Sequence, residues 1–452
     1  MRAVVVGGGI TGLAAAHRLV QGGHQVTLVE SSNRLGGKIR TSRFAGRPVE
    51  EGPDAFLARV PAVAALTREV GLGGDLVSPA AGSAYLWTDG ALKPLPTGLV
   101  LGVPVDFEPL AAAGILSEAG LARARQEPDL PGEPITSDVS IGELIARRFG
   151  PELQERLVDP LLGGINAGRT EELSIDVGAA QLAAVARRHG SLVAGLRAQR
   201  EAAPPPSGEP VFWSVRGGLQ RLVDALATSL VEAGVEVRCG AAVESVDSVP
   251  AVHLAGGVTI EADAVIITVP AFAAAPMLRD LSAEVARALD AIDYSSVALV
   301  TLAYRRDAVR TSLDGSGFLV PRPDGRLLTA CSVFSNKWKD LADPDTVLLR
   351  ASAGRWKDGR ALDMDDADLV AAVHGELDEA LGLAEGPTEV RVSRWVRSFP
   401  QFWPGHLERV AHLESTLARV APRVALAGAA LRGVGIPACV TGAQSAAEHV
   451  TA

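Results

Sequence analysis

The sequence is short of several residue types, and each shortage closes off a class of protein. Three cysteines occur in 452 residues. Cys239, Cys331 and Cys439 are too widely spaced to suggest a disulfide frame or a zinc cluster, and they read as reduced thiols of a cytosolic protein. The eight histidines are scattered, with no H-E-x-x-H pair, and no G-x-S-x-G elbow marks a serine nucleophile. No metal site is expected. Acidic residues outnumber basic ones 53 to 43 for a net charge of −10, and no run of five or six like charges exists, which argues against a nucleic-acid partner. The longest largely apolar stretch, 264–278, is broken by Thr268, Pro270 and Pro276 and falls short of the roughly 20 residues a membrane crossing needs. Met1-Arg2 leads straight into an apolar strand and a glycine turn, with no targeting helix. The expected location is cytoplasmic, without a transmembrane segment and with peripheral membrane contact left open. Lysine is also scarce: Lys38, Lys93, Lys337, Lys339 and Lys357 leave 38 of the 43 basic residues as arginine. Together with abundant Ala, Gly and Pro, that bias looks like a GC-rich bacterial genome.

What is present can build a large core. Hydrophobic residues make up 47% of the chain, and at about 150 residues per domain the length predicts two to three units. Ala3–Val6 reads as a buried strand, Ile10–Val20 has helical spacing, and Gln25–Val29 is a second strand ending at Glu30. Two strands joined by a helix form a βαβ unit and imply an α/β first domain with a parallel sheet. From Ser140 to Arg200 the pattern is helical. The stretch Ala202–Gly208, with its three prolines, reads as a linker. Leu219–Glu232 reads as a helix, Val235–Arg238 as a strand, and Ala255-Gly256-Gly257 as the turn of a hairpin. Ala264–Val269, apolar except for Thr268, reads as a buried strand; Val297–Tyr304, Val347–Ala351 and Val424–Leu426 read as strands, Leu369–Leu381 and Leu407–Val420 as helices.

The chemistry begins at the first turn. Gly7-Gly8-Gly9-Ile10-Thr11-Gly12 fits G-x-G-x-x-G between a strand and a helix, the setting in which that hexapeptide binds a dinucleotide. Gly7 makes the tight turn, Gly9 lets the backbone approach a diphosphate, and Gly12 lets helix and strand pack closely. The diphosphate would meet the free N–H groups and positive dipole end of the helix. Glu30, closing the second strand, is placed to accept hydrogen bonds from a ribose diol. Arg34-Leu35-Gly36-Gly37-Lys38 follows directly; two further glycines and two cations extend the phosphate-binding surface, which suits FAD better than NAD.

These motifs, with E-E-G-P-D-A-F at 50–56, resemble the flavin-containing amine oxidase superfamily. P-L-L-G-G-I-N-A-G at 160–168, S-V-R-G-G-L-Q-R-L at 214–222, W-V-R-S-F-P-Q-F-W-P-G-H at 395–406 and L-A-G-A-A-L-R-G-V-G-I-P-A-C-V at 426–440 narrow the resemblance to the protoporphyrinogen and coproporphyrinogen oxidases. It spans nearly the whole chain. The resemblance implies a non-covalent FAD held at Gly7 to Gly12, Glu30, Ser31, Arg34, Gly37 and Lys38. Gly52, Pro53, Asp54 and Ala55 would lie at the flavin end, the backbone of Val243 at the adenine, and Trp395, Val434, Gly435 and Ile436 would complete the site. Gly164 matches a family glycine beside the reacting tetrapyrrole. Where the family often carries Tyr this chain has Phe402, so no hydroxyl acts there. Cys439 reads as a buried thiol, not a flavin link.

The resemblance further implies a Rossmann-like FAD domain built from 1–78, 211–290 and 422–452. An antiparallel-sheet substrate domain would combine 79–105 with 291–421, and a helical domain would span 106–210, whose Arg147, Arg148, Glu152 and Glu155 favour solubility. Flavin oxidases need no side-chain triad, because the isoalloxazine carries the electrons. In the family, a porphyrinogen loses hydrides from its meso carbons in three two-electron rounds, with dioxygen reduced to hydrogen peroxide, within haem biosynthesis. The partners implied are a porphyrinogen, O2 and, transiently, other haem-pathway enzymes. Coproporphyrinogen III, with four propionates, suits a chain without a membrane span; protoporphyrinogen IX, with two, is the alternative, and an amine or carotenoid-type oxidoreductase a more distant one. Arg43, Arg47 and Arg59 lie near the flavin-end motif and are either propionate partners or solvated charges.

Overall fold

Ala3 to Val6 has no polar side chain to show to water, and it is buried on both faces. In the computed structural model, which describes residues 1–203, 208–311 and 314–452, Val4, Val5 and Val6 are at most 2% exposed. They lie in strand β1 (Arg2–Val6), between β2 (Gln25–Glu30) and the strand Ala264–Ile267. Glu236–Cys239 and Val424–Leu426 complete a five-stranded sheet in which every pairing is parallel. Covered strands of this kind must read as unbroken apolar runs, and they do. The register pairs Val6 with Val29 on one side and Ile267 on the other, so the carboxyl ends of three strands share one edge, where such sheets bind ligands.

Helix α1 (Ile10–Gln21) buries Leu13, Ala14, Ala15, Ala16 and Leu19 against that sheet. The helices Gln220–Glu232 and Ile436–Thr451 add Leu222, Val223, Val440 and Ala443 to the same core. The alanine-rich faces let helices lie close to the sheet. This unit comprises Met1–Ser78, Glu209–Asp293 and Leu407–Ala452. It is the Rossmann-like α/β domain that the first 30 residues predict.

The second unit comprises Pro79–Gly208 and Tyr294–His406. Its seven-stranded sheet runs, in spatial order, Glu389–Pro400, Tyr294–Arg305, Thr346–Ala353, Leu328–Val333, Gly317–Leu319, Tyr85–Thr88 and Ala91–Pro94. All its pairings are antiparallel but one: Phe318 and Leu319 run parallel to Tyr85 and Leu86. The sheet is the antiparallel one expected, with one parallel pairing where two strands from distant parts of the chain meet without a hairpin to reverse them. The sheet packs on the helix Asp366–Leu381 through Leu369, Val373 and Leu377. Of the expected helical domain 106–210, residues 106–203 belong to this same unit, with their own core around Ile141, Leu157, Leu182 and Val193, whereas Glu209 and Pro210 belong to the first.

Other boundaries also moved. The helix His406–Val420 lies, from Leu407 onward, in the first unit rather than with the substrate-domain stretch. Ala202 ends the helix Leu192–Ala202, one residue into the predicted linker, of which 204–207 lie outside the described residues. Within the helical region, Gln154–Gly163 is a π-helix with Pro160 inside it; the proline removes a backbone donor, and a wider helical turn is one way to accommodate the loss. Among the described residues no helix is long and apolar enough to cross a membrane, and none of their His, Cys, Asp and Glu side chains form a metal-binding group.

Arg148 is not the surface charge the sequence suggests. It is buried and donates through Nε to Glu127 Oε1 at 2.9 Å, while Glu127 also accepts from Ser191 Oγ and the backbone N–H groups of Leu192 and Val193. Glu127 is fully buried and ties three chain segments into one network. Glu127→Ala leaves Arg148 charged and unpaired inside the unit, and by the usual cost of breaking a buried pair it should lower stability by about 3–5 kcal/mol, read in urea-unfolding curves.

Candidate functional site

The turn between β1 and α1 is built by contacts that only small residues permit. A Cβ on Gly12 would stand 1.8 Å from the carbonyl oxygen of Gly7, so helix and strand close on each other at bare backbone. Gly7 has φ +106°, and its N–H donates to Val29 O at 2.8 Å. Gly9, the residue before α1, is the opposite case: nothing stands within 4 Å of where its Cβ would be. Its outer face is clear of protein. The first N–H groups of α1 have no partner inside the helix, as at every helix start, and the dipole is positive there.

Thr268 holds this turn from beneath. Its Oγ1 donates to Val6 O at 2.8 Å and lies 3.1 Å from Gly7 O, and any side chain on Gly7 would strike it at 2.7 Å. Sequence reasoning did not place Thr268 in the site. The available signal was its standing as the lone polar residue in an apolar strand run.

Glu30 is fixed in the same place. Gly8 N–H donates to its Oε2 at 2.7 Å and Ser32 N–H to its Oε1 at 2.8 Å. A carboxylate has about four lone-pair sites, and with a third, longer bond from Ser31 Oγ about one remains for a hydroxyl of a bound ligand. Ser31 lies 3.4 Å from Glu30 Oε1 through its own Oγ. The chain leaving Glu236–Cys239 crosses over this point, with Gly240 N–H donating to Ser32 O and Ala241 N–H to Glu30 O. That crossing delivers half-buried Val243, the first residue of its strand.

The Arg34–Lys38 turn folds back on the first one. Gly36 N–H donates to Gly8 O at 2.8 Å, and a Cβ on Gly37 would meet Gly9 Cα at 3.2 Å. Arg34 donates to the turn's own carbonyls at Leu35, Ile39 and Gly37, so it braces the loop. Burial and the neighbouring Arg40 push its guanidinium below the ordinary arginine value. Burial likewise pushes the Lys38 ammonium down, a cost that an anion placed beside it would offset.

Lys38 and Thr11 act on the buried thiol of Cys439, which burial holds above the usual cysteine range. Cys439 lies in the first turns of Ile436–Thr451, whose N-terminus is approached by Val434 and Gly435. Ile436 is buried and Gly435 exposed. The helices α1 and Ile436–Thr451 therefore begin near one another, joined through Thr11 and Cys439.

The E-E-G-P-D-A-F stretch divides into anchor and loop. Glu50 is buried, accepting from Leu219 N–H at 2.5 Å and Thr41 Oγ1 at 2.8 Å, and Thr41 Oγ1 accepts from Gln220 N–H. A carboxylate thus sits at the N-terminus of Gln220–Glu232, where the dipole favours it. Glu51 pairs with Arg40 at 3.1 Å. The two acids anchor the start of the irregular loop Gly52, Pro53, Asp54 and Ala55. Arg43 and Arg59 nearby are exposed and Arg47 is half-buried.

Two predicted residues stand in the second unit. Trp395 is half-buried in Glu389–Pro400, opposite Val297 beside a bulge in the pairing. Gly164 is exposed at the end of the π-helix, with no atom within 4 Å of its Cβ position. Phe402 is fully buried, its ring 4.8 Å from that of His406.

With this geometry in place, known proteins supply the family. Residues 10–451 match the family described as flavin containing amine oxidoreductase. The coproporphyrinogen III oxidase of Bacillus subtilis is 35% identical over 98% of this chain and 96% of its own. That of Propionibacterium freudenreichii is 34% identical over 99% and 90%. A crystal structure from Exiguobacterium, of a candidate protoporphyrinogen oxidase, superposes with a TM-score of 0.88 at 32% identity, covering 99% of this chain and 98% of that one. The glycine turns, the five-stranded sheet and these full-length likenesses agree, and the chain belongs to the flavin-containing amine oxidoreductases, within the family of the coproporphyrinogen and protoporphyrinogen oxidases.

Proposed function

We propose that this chain is an FAD-dependent oxidase that converts coproporphyrinogen III to coproporphyrin III in haem biosynthesis. Full-length likeness to two proteins named coproporphyrinogen III oxidase carries the substrate reading. The first unit is the FAD domain in this account, and the second bears the substrate-binding and helical parts.

The residues of the first unit fit the cofactor. Gly9 is clear on its outer face while Gly12 is closed by backbone, so the turn is open only where a diphosphate would lie. The N–H groups of Ile10, Thr11 and Gly12 and the cation of Lys38 face negative charge there. Arg34 and Gly37 keep the second turn pressed on the first. Glu30, already oriented by Gly8 and Ser32, accepts a ribose hydroxyl, with Ser31 alongside. Val243 offers backbone to the adenine, and Gly52 to Ala55 with Val434 to Ile436 border the ring system. Gly164 belongs to the substrate side, and Trp395 keeps its reading as a flavin-site residue. When bound, FAD supplies the acceptor for a meso-carbon hydride and passes the electrons to O2, giving hydrogen peroxide. In this reading FAD is bound without a covalent link, which the burial of the Cys439 thiol among core residues supports.

The protein's own task is then to position the substrate: hydride transfer needs near-attack geometry more than a proton shuttle. A second reading, preference for protoporphyrinogen IX, draws on the name of the Exiguobacterium protein. Substrate polarity separates them, because the four-propionate ring partitions poorly into lipid.

Two predictions follow from these assignments. Gly9→Val should fold with an unchanged apoprotein Tm yet bind no flavin, whereas Glu30→Ala should weaken FAD by about 1–3 kcal/mol, the scale of lost charge-assisted hydrogen bonds. Absorbance at the flavin band after gel filtration reads both; full FAD retention by Gly9→Val contradicts the assignment. For the substrate, kcat/KM measured in detergent-free buffer should be higher for coproporphyrinogen III than for protoporphyrinogen IX. The reverse order would move the chain to the second reading.

A further inference from the structure

The turn that follows Gly164 is held from three directions within the second unit. Trp356 N–H donates to Ala167 O at 2.7 Å, Gln401 Nε2 to Asn166 O at 3.0 Å, and Arg322 Nη2 to Gly168 O at 2.9 Å. Ala167 itself takes φ +46°, a conformation costly for a residue with a side chain. Such anchoring fixes the position of Gly164 and of Ile165, whose apolar side chain is 60% exposed.

Beside this turn stands a cation whose Nε has no hydrogen-bond acceptor among the described residues. Arg355, next to Trp356, has a side chain only 8% exposed. Its buried Nε has no hydrogen-bond partner, and Asp358 Oδ2, at 3.9 Å, is beyond hydrogen-bond range. The nearby carboxylates are occupied. Asp358 accepts from Arg360 at 2.9 and 2.8 Å. Asp159 accepts from Thr170 N–H and Oγ1 through one oxygen, and Arg322 Nε lies 3.4 Å from the other. Burial and the like charge of Arg322 push the Arg355 guanidinium down to about 10, only partly opposed by Asp358 and Asp159. Counting Arg360, the charges acting on this spot are three guanidiniums and two carboxylates. A desolvated guanidinium left without an acceptor is expensive, and a third carboxylate would remove the imbalance.

We propose that Arg355, seconded by Arg322, receives a propionate carboxylate of the tetrapyrrole beside the Gly164–Gly168 turn. The inference rests on the porphyrinogen reading above and names one anchor of that substrate. A planar carboxylate matches the guanidinium fork in a way a single-point acceptor does not. The exposed Ile165 and the paired rings of Trp356 and Trp403, 5.2 Å apart, give the same locality an apolar, aromatic character suited to a macrocycle. Neither a carboxylate alone nor an apolar ring alone uses both features.

The test uses the holoprotein, with Arg355→Gln, Arg355→Lys and Arg322→Gln. Binding of coproporphyrin III is compared by fluorescence with that of its tetramethyl ester, which keeps the ring and lacks the carboxylates. Arg355→Gln should weaken binding of the acid roughly tenfold or more and raise KM in parallel, leaving kcat and ester binding near wild type. Arg355→Lys should restore part of the loss and Arg322→Gln show a smaller one. Acid binding by Arg355→Gln within twofold of wild type overturns the proposal, as does an equal loss for acid and ester, which marks a structural cation. If Arg355→Gln lowers Tm sharply, the acid-to-ester ratio of Arg355→Lys decides by the same criterion. Wild-type turnover of porphyrinogen, measured alongside, tests the functional reading separately.

Discussion

The site depends on how closely α1 approaches β1. Gly12 and Gly7 meet at backbone distance, and the 1.8 Å gap that a Cβ on Gly12 would leave admits no other residue. Thr268 closes the floor of the same turn by bonding Val6 and Gly7 carbonyls. Once the turn is fixed, its neighbours are too. Gly8 orients Glu30, Gly36 seats on Gly8, and Gly37 abuts Gly9. A loop on the surface thereby becomes a rigid surface of backbone donors, the arrangement that anion recognition requires. Three separate stretches of the chain meet in that unit, and the sheet that joins them is parallel because every crossover passes through a helix or a longer excursion.

The second unit is organised around a different constraint, the satisfaction of buried charge. Glu127 and Arg148 are matched, with four donors converging on one carboxylate. Asp159 is matched to Thr170 and Arg322. Arg355 is the contrast: among the described residues its buried Nε has no hydrogen-bond partner, and Asp358 Oδ2 stands 3.9 Å away. The proposal places a ligand's carboxylate against that unpartnered Nε.

Much of the first unit was legible in the sequence because its signals are local. An apolar run, a glycine turn and an apolar helix face within 30 residues specify a βαβ unit, and Glu30 falls at the end of its strand for the same reason. Thr268 and Glu50 were not legible as site residues. Their roles arise from pairings with residues more than 160 positions away, Val6 for one and Leu219 for the other, which no window reveals. The parallel pairing of Gly317–Leu319 with Tyr85–Thr88 escaped for the same cause. The π-helix at Gln154–Gly163 gave only ordinary helical spacing, and Arg148 looked like any surface arginine until the fold buried it against Glu127. Glu51 and Arg34 carried motif signals, but the pairing of Glu51 with Arg40 and the bonds from Arg34 to carbonyls of its own loop were not in the motif.

The account stands or falls on electrons passing from a porphyrinogen to a flavin held in the first unit. The direct measurement is anaerobic mixing of the purified yellow protein with coproporphyrinogen III in a stopped-flow spectrometer. The account predicts loss of the oxidised flavin band together with the appearance of porphyrin absorbance, followed by recovery of the flavin band when oxygen is admitted. A flavin band that stays oxidised while the wild-type protein sits with saturating coproporphyrinogen III, and equally with protoporphyrinogen IX, would contradict it.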